Sequence, residues 1–118
     1  MRDHNKLKAF ELADEVVVLI YQATVRFPKE EVYGLTSQMR RAAVSVPSNI
    51  VEGSARKSQS EYLRFLEIAF SSLRELKYQY GLAFRLGYIK QLNSNECKRK
   101  IEETERVMAA LIRSLRNT

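Results

Sequence analysis

The sequence predicts an all-α chain folded as an up-down-up-down four-helix bundle, and three observations carry that expectation. Apolar residues recur at alternating steps of three and four along almost the whole length, the period of one helical face. Only two prolines and four glycines interrupt the pattern, most of them where a helix would end. The one short run that reads as a strand, Ala43 to Pro47, has no second strand to pair with. Helices are expected over about residues 5–26, 35–53, 59–86 and 94–116, joined by short loops into one domain spanning 1–118.

In the first helix Leu7, Phe10, Ala13, Val17, Ile20, Thr24 and Phe27 form the stripe, widened by Val16 and Ala23. Pro28 removes a donor and biases Phe27 away from helical dihedrals, so the stop has a cause. The second helix is apolar over more than half its circumference, through Ala42, Ala43, Val44, Val46, Ile50 and Val51. Pro47 in its middle leaves the Ala43 carbonyl without its usual donor, so a kink is expected there. The third opens on Ser58-Gln-Ser-Glu61, a capping box, and continues through Tyr62, Leu66, Ala69, Leu73, Leu76, Tyr80 and Ala83. Gly81 weakens this helix by up to ~1 kcal/mol relative to Ala, and a close neighbour would explain it. In the fourth, Cys97, Ile101, Thr104, Met108, Leu111 and Leu115 form a seam like that of a coiled coil, with Asn93 or Ser94 as N-cap.

A chain of 118 residues, 45% apolar, buries roughly two-thirds of its unfolded surface without covalent staples. Its single cysteine forms no internal disulfide, which points to a reducing, cytoplasmic compartment. No apolar run approaches the ~20 residues of a membrane helix, and the first ten residues hold no signal-peptide core.

Catalytic chemistry has little to work with. His4, the only histidine, lies at the N-terminus, and zinc, His-assisted nucleophiles and di-iron pairs all need more. Cys97 sits on an apolar seam, where a thiol behaves as a small hydrophobe. Phosphate-cradling glycine motifs do not occur. No metal or cofactor is therefore expected. Glu52 and Glu75, on neighbouring helices, are an acid–base pair only if both are buried. The structural reading, a Glu52–Arg56 pair at i,i+4, is the stronger. Pro47, Asn49, Glu52, Gly53 and Glu75 are accordingly read as structural.

The formal net charge is +6, and it is unevenly spread: residues 1–34 carry −1, and the excess lies beyond them. The clusters are Arg40-Arg41, Arg56-Lys57, Lys98-Arg99-Lys100, and Arg113 with Arg116, all candidates for contact with a nucleic-acid backbone. Aromatic and basic residues do not interleave, so base-specific readout is not expected. Tyr33, in the loop before the second helix, is the aromatic residue of most interest.

The run Phe27-Pro28, Glu31, Tyr33-Gly34-Leu35, Gln38 and Arg40 to Gly53 resembles the signature of a bacterial four-helix-bundle family. Its members include proteins encoded by intervening sequences in 23S ribosomal RNA genes. Phe65-Leu66, Ile68-Ala69, Ser72-Leu73, Glu75-Leu76 and the Leu86-Gly87-Tyr88 turn extend the resemblance over nearly the whole chain. Val51 and Phe70-Ser71 depart from it, where the family has smaller residues. The resemblance implies a ring-shaped homopentamer. It also implies kinship with the accessory variability protein of diversity-generating retroelements, which engages a reverse transcriptase and nucleic acid. The family's "ribosomal" label reflects gene location.

The greasiness of the second helix suggests, independently, that copies associate and bury part of its Ala42, Ala43, Val46, Ile50 and Val51 face, or the counterpart on the third helix, between them. The expected function is a non-enzymatic, oligomeric protein that binds RNA or DNA backbone through pooled positive charge. The alternative is a scaffold for a protein partner such as a reverse transcriptase.

Overall fold

The structure is a computed structural model that describes residues 2–118, without the side chains of residues 91–95. The chain is all-α, with helices α1 (Lys8–Thr24), α2 (Leu35–Ser54), α3 (Gln59–Arg85) and α4 (Gln91–Arg116). Two short 3-10 turns, His4–Lys6 and Lys29–Glu31, precede α1 and α2. Each helix packs on its neighbours in sequence, and α1 also packs on α4, which closes a four-cornered bundle. The bundle measures 44 × 25 × 20 Å, the long axis being that of the helices.

Leu12, Val16, Ile20, Met39, Val46, Ile50, Leu66, Leu73, Leu76, Ile101 and Met108 fill the core. Along α1 the buried line is Ala9, Leu12, Ala13, Val16, Ile20 and Thr24. That line is rotated by about one residue from the expected stripe, with Leu7, Phe10 and Val17 only partly buried beside it. The α1 stripe is wide enough for two registers, and packing against both α2 and α4 selects one. The α4 seam holds at Cys97, Ile101, Thr104 and Met108, and Ile112 rather than Leu111 completes it.

Helix α2 continues through Pro47, which is itself buried. Asn49 Nδ2 donates to the Ser45 carbonyl (2.8 Å) and to Ser45 Oγ (3.0 Å), and that hydroxyl bonds Ser72 on α3 (2.8 Å). Small side chains let α2 and α3 approach closely. At Gly53 the approach leaves no room for a side chain, since a Cβ would stand 2.8 Å from Phe65 Cβ and 3.3 Å from Tyr62.

The hydroxyl half of the capping box forms, Ser58 Oγ accepting from the Glu61 amide at 3.1 Å. Two residues past the end of α3, Gly87 takes a φ of 81° and turns the chain while Tyr88 N donates to the Ala83 carbonyl. Two expectations are corrected. A Cβ on Gly81 would meet nothing within 4 Å, so no close neighbour explains that glycine. Helix α4 begins at Gln91, before Asn93 and Ser94, whose side-chain capping lies outside the described residues.

Candidate nucleic-acid interface

Helix ends decide which basic clusters meet. Arg2 Nη1 donates to the Arg56 carbonyl at 2.9 Å, which fixes the N-terminal segment against the end of α2. Gln59 Nε2 donates to the Leu115 carbonyl at 3.1 Å, which fixes the start of α3 against the end of α4. Arg56-Lys57 and Arg113 with Arg116, far apart in sequence, therefore share one end of the bundle. The structure adds Arg2 and Arg64 to them.

Aromatic rings lie under three of these arginines. The Arg2 guanidinium lies 4.1 Å from the centre of the Tyr62 ring. Those of Arg56 and Arg64 lie 4.9 and 4.7 Å from the centre of the Phe65 ring. Arg56 reaches Glu52 at 3.6 Å, and Arg116 pairs with Glu67. Among the described residues, Arg2, Lys57, Arg64 and Arg113 have no carboxylate within ion-pair distance. With Asp3, Glu52, Glu61 and Glu67 counted, this end still carries an excess of positive charge. Arg56 Nε is buried without a hydrogen-bond partner.

The other basic candidates lie elsewhere. Arg40 is pinned by Nε to Thr24 Oγ1 (2.8 Å) and lies 4.6 Å from the centre of the Tyr21 ring; Arg41 beside it is exposed. Lys100 is committed to Glu15 at 2.7 Å, a bond that raises its pKa and removes it from any free basic patch. Lys98 and Arg99 remain exposed, but Arg99, Lys100 and Arg106 share one shallow depression with as many carboxylates, Glu96, Glu102 and Glu103.

Glu52 and Glu75 are both exposed, which removes the desolvation that an acid–base pair there would need. Glu75 accepts from Gln79 Nε2 at 3.2 Å. Cys97 is buried, and desolvation pushes its thiol up to about 11 against the pull of a hydrogen bond from Tyr80. His4 stacks edge-on against Phe10, with ring centres 4.7 Å apart. Among the described residues no three His, Cys, Asp or Glu side chains group as a metal site, and no helix is long and apolar enough to cross a membrane.

The expected self-association face also needs correcting. Ala42, Ala43, Val46 and Ile50 are buried inside the chain's own core, because α1 and α3 cover them. From that helix Val44 and Val51 stay exposed, at 39% and 38%.

A comparison of the sequence with family models matches residues 5–110 to the 23S rRNA-intervening sequence protein family. The chain belongs to that family. Among curated proteins none matches it. A crystal structure from the S23 ribosomal protein family, a Bacteroides thetaiotaomicron protein with unknown function, superposes with a TM-score of 0.79 at 19% identity. The match covers 89% of this chain and 95% of that one. At that identity the likeness shows a shared fold: the 23S rRNA-intervening sequence protein here and the Bacteroides protein are built on the same helical frame.

Proposed function

We infer that this 23S rRNA-intervening sequence protein is a non-enzymatic, oligomeric binding protein that contacts RNA or DNA backbones without sequence specificity. The observation that carries the reading is the gathering of Arg2, Lys57, Arg64 and Arg113 at one end of the bundle, none facing a carboxylate. Guanidinium and ammonium groups without a carboxylate partner neutralise phosphates and release counterions. Phe65 and Tyr62 already lie under arginines, which favours backbone contact over base stacking.

The contacts of Arg2 with Arg56 and of Gln59 with Leu115 favour an up-down-up-down course, and Pro47 favours a bend in α2. Support for self-association, including the ring of five, rests on the family resemblance and on Val51 and Ile68 remaining exposed. A ring would multiply the +6 of each chain. The buried free thiol of Cys97 favours the cytoplasm.

Retention of an unstructured RNA on the purified protein tests the reading. Retention at ~50 mM salt that falls steeply by ~200 mM is expected, and no retention at ~50 mM contradicts it. Sedimentation at micromolar concentration tests the oligomer, a monomer mass being the contrary result. The second reading, a protein scaffold, is favoured by a mixed apolar and basic groove between α1 and α2.

A further inference from the structure

That groove has a volume of about 620 Å³ and lies towards the end of the bundle opposite the basic cluster. Tyr21 of α1, Val32 of the preceding turn, and Thr36, Arg40, Arg41 and Val44 of α2 line it, and no carboxylate does. Arg40 is fixed in place by Nε on Thr24 Oγ1 and by Nη2 on the Tyr21 carbonyl at 3.4 Å, so a cation with donors to spare is held in the groove wall. Arg41 has no ion-pair partner among the described residues. Thr36 is more than nine-tenths buried, and its hydroxyl makes no hydrogen bond although it belongs to the groove wall.

The apolar part extends beyond the groove. Val32 is 48% exposed, its neighbour Tyr33 97%, and Val18 and Val25 continue the outward line of Tyr21 along α1. An exposed aliphatic surface of this kind, continuous with two arginines in a groove whose lining holds no acid, has a defined complement.

We propose that the groove docks an acidic, aliphatic segment of another protein. A carboxylate of that segment meets Arg40 and Arg41, and its neighbouring apolar side chain covers Val32 and Val44. Nucleic acid fits less well: Tyr21 already lies against Arg40, and the valines offer a phosphate backbone nothing. A second copy of this chain is the competing occupant, and the assembly mass of the groove variants tells the two apart.

The probe is a short fluorescent peptide of alternating glutamate and leucine, titrated into the full chain and followed by anisotropy. Glutamine-for-glutamate and serine-for-leucine versions serve as controls. Both controls bind more weakly than the probe. Arg41→Glu weakens the probe by roughly tenfold or more, and Val44→Ser by several-fold. Circular dichroism of each variant confirms the helices. No saturable binding up to about 1 mM overturns the proposal, as does equal binding of the glutamine peptide. Displacement of the probe by RNA, with RNA retention abolished in Arg41→Glu, assigns the groove to nucleic acid and overturns it. A drop in assembly mass in Arg41→Glu and Val44→Ser without weaker probe binding assigns it to a second copy and overturns it. RNA retention by the wild-type chain is read separately, so this proposal and the nucleic-acid reading fail independently.

Discussion

Gly53 and Phe65 approach so closely that a Cβ on the glycine would stand 2.8 Å from Phe65 Cβ. The obstructing atom is the root of a side chain rather than its flexible end, so only backbone movement makes room. Gly53→Ala therefore destabilises the fold by about 1–3 kcal/mol, even after the better helix propensity of alanine is counted. Gly81→Ala, where nothing lies within 4 Å, stabilises it by up to ~1 kcal/mol. Thermal denaturation of the two variants checks the contrast, and equal shifts of one sign would contradict it.

Glu31 joins three elements. Its Oε1 accepts from the Leu35 amide at 3.0 Å, and its Oε2 accepts from the Tyr88 hydroxyl at 2.9 Å. The Leu35 amide first, and the Tyr88 hydroxyl second, lower the Glu31 pKa below its ordinary 4.5. A lowered carboxylate pKa adds stability that is present above the unfolded value and is lost as pH falls through the folded one. The advantage of wild type over Glu31→Gln in urea unfolding is thus expected to hold at neutral pH and to shrink below about pH 4.5. An advantage that grows as pH falls would contradict the assignment.

Cys97 is buried, with its thiol pushed up to about 11. Thiolate is the reactive form, so at mildly alkaline pH the folded chain reacts with a disulfide reagent far more slowly than a free thiol does. Added denaturant releases one full equivalent. Immediate reaction of the folded protein would show that α4 opens at Cys97.

Helix number, helix ends within a few residues and the α4 seam are legible in the sequence, because period and punctuation are local signals. The lateral packing of α2 is not. The number of its apolar residues suggests a surface that one chain cannot hide, yet Ala42, Ala43 and Ser45 are small enough for α3 to come close. Ala42, Ala43, Val46 and Ile50 then vanish into the chain's own core. The basic clusters are visible as blocks of charge, but their grouping is not. Which helix ends meet is a property of the fold, and it unites Arg56-Lys57 with Arg113 and Arg116. It also gives Lys100 to Glu15, a pairing between α4 and α1 that no local spacing announces. Arg2, near the N-terminus, and Arg64, with no basic residue beside it in sequence, carry no sequence signal of membership.

The most direct measurement of the central claim is the salt dependence of RNA binding for two charge variants. In one, Lys57, Arg64 and Arg113 become glutamine; in the other, Lys98 and Arg99 do. If the free cations at the α2–α3 end hold the backbone, the first variant lowers the slope of log affinity against log salt by about 0.7 for each phosphate no longer neutralised, and the second leaves it nearly unchanged. Equal slopes for wild type and the first variant, with a shallower slope only in the second, would place the RNA elsewhere on the bundle and contradict the account.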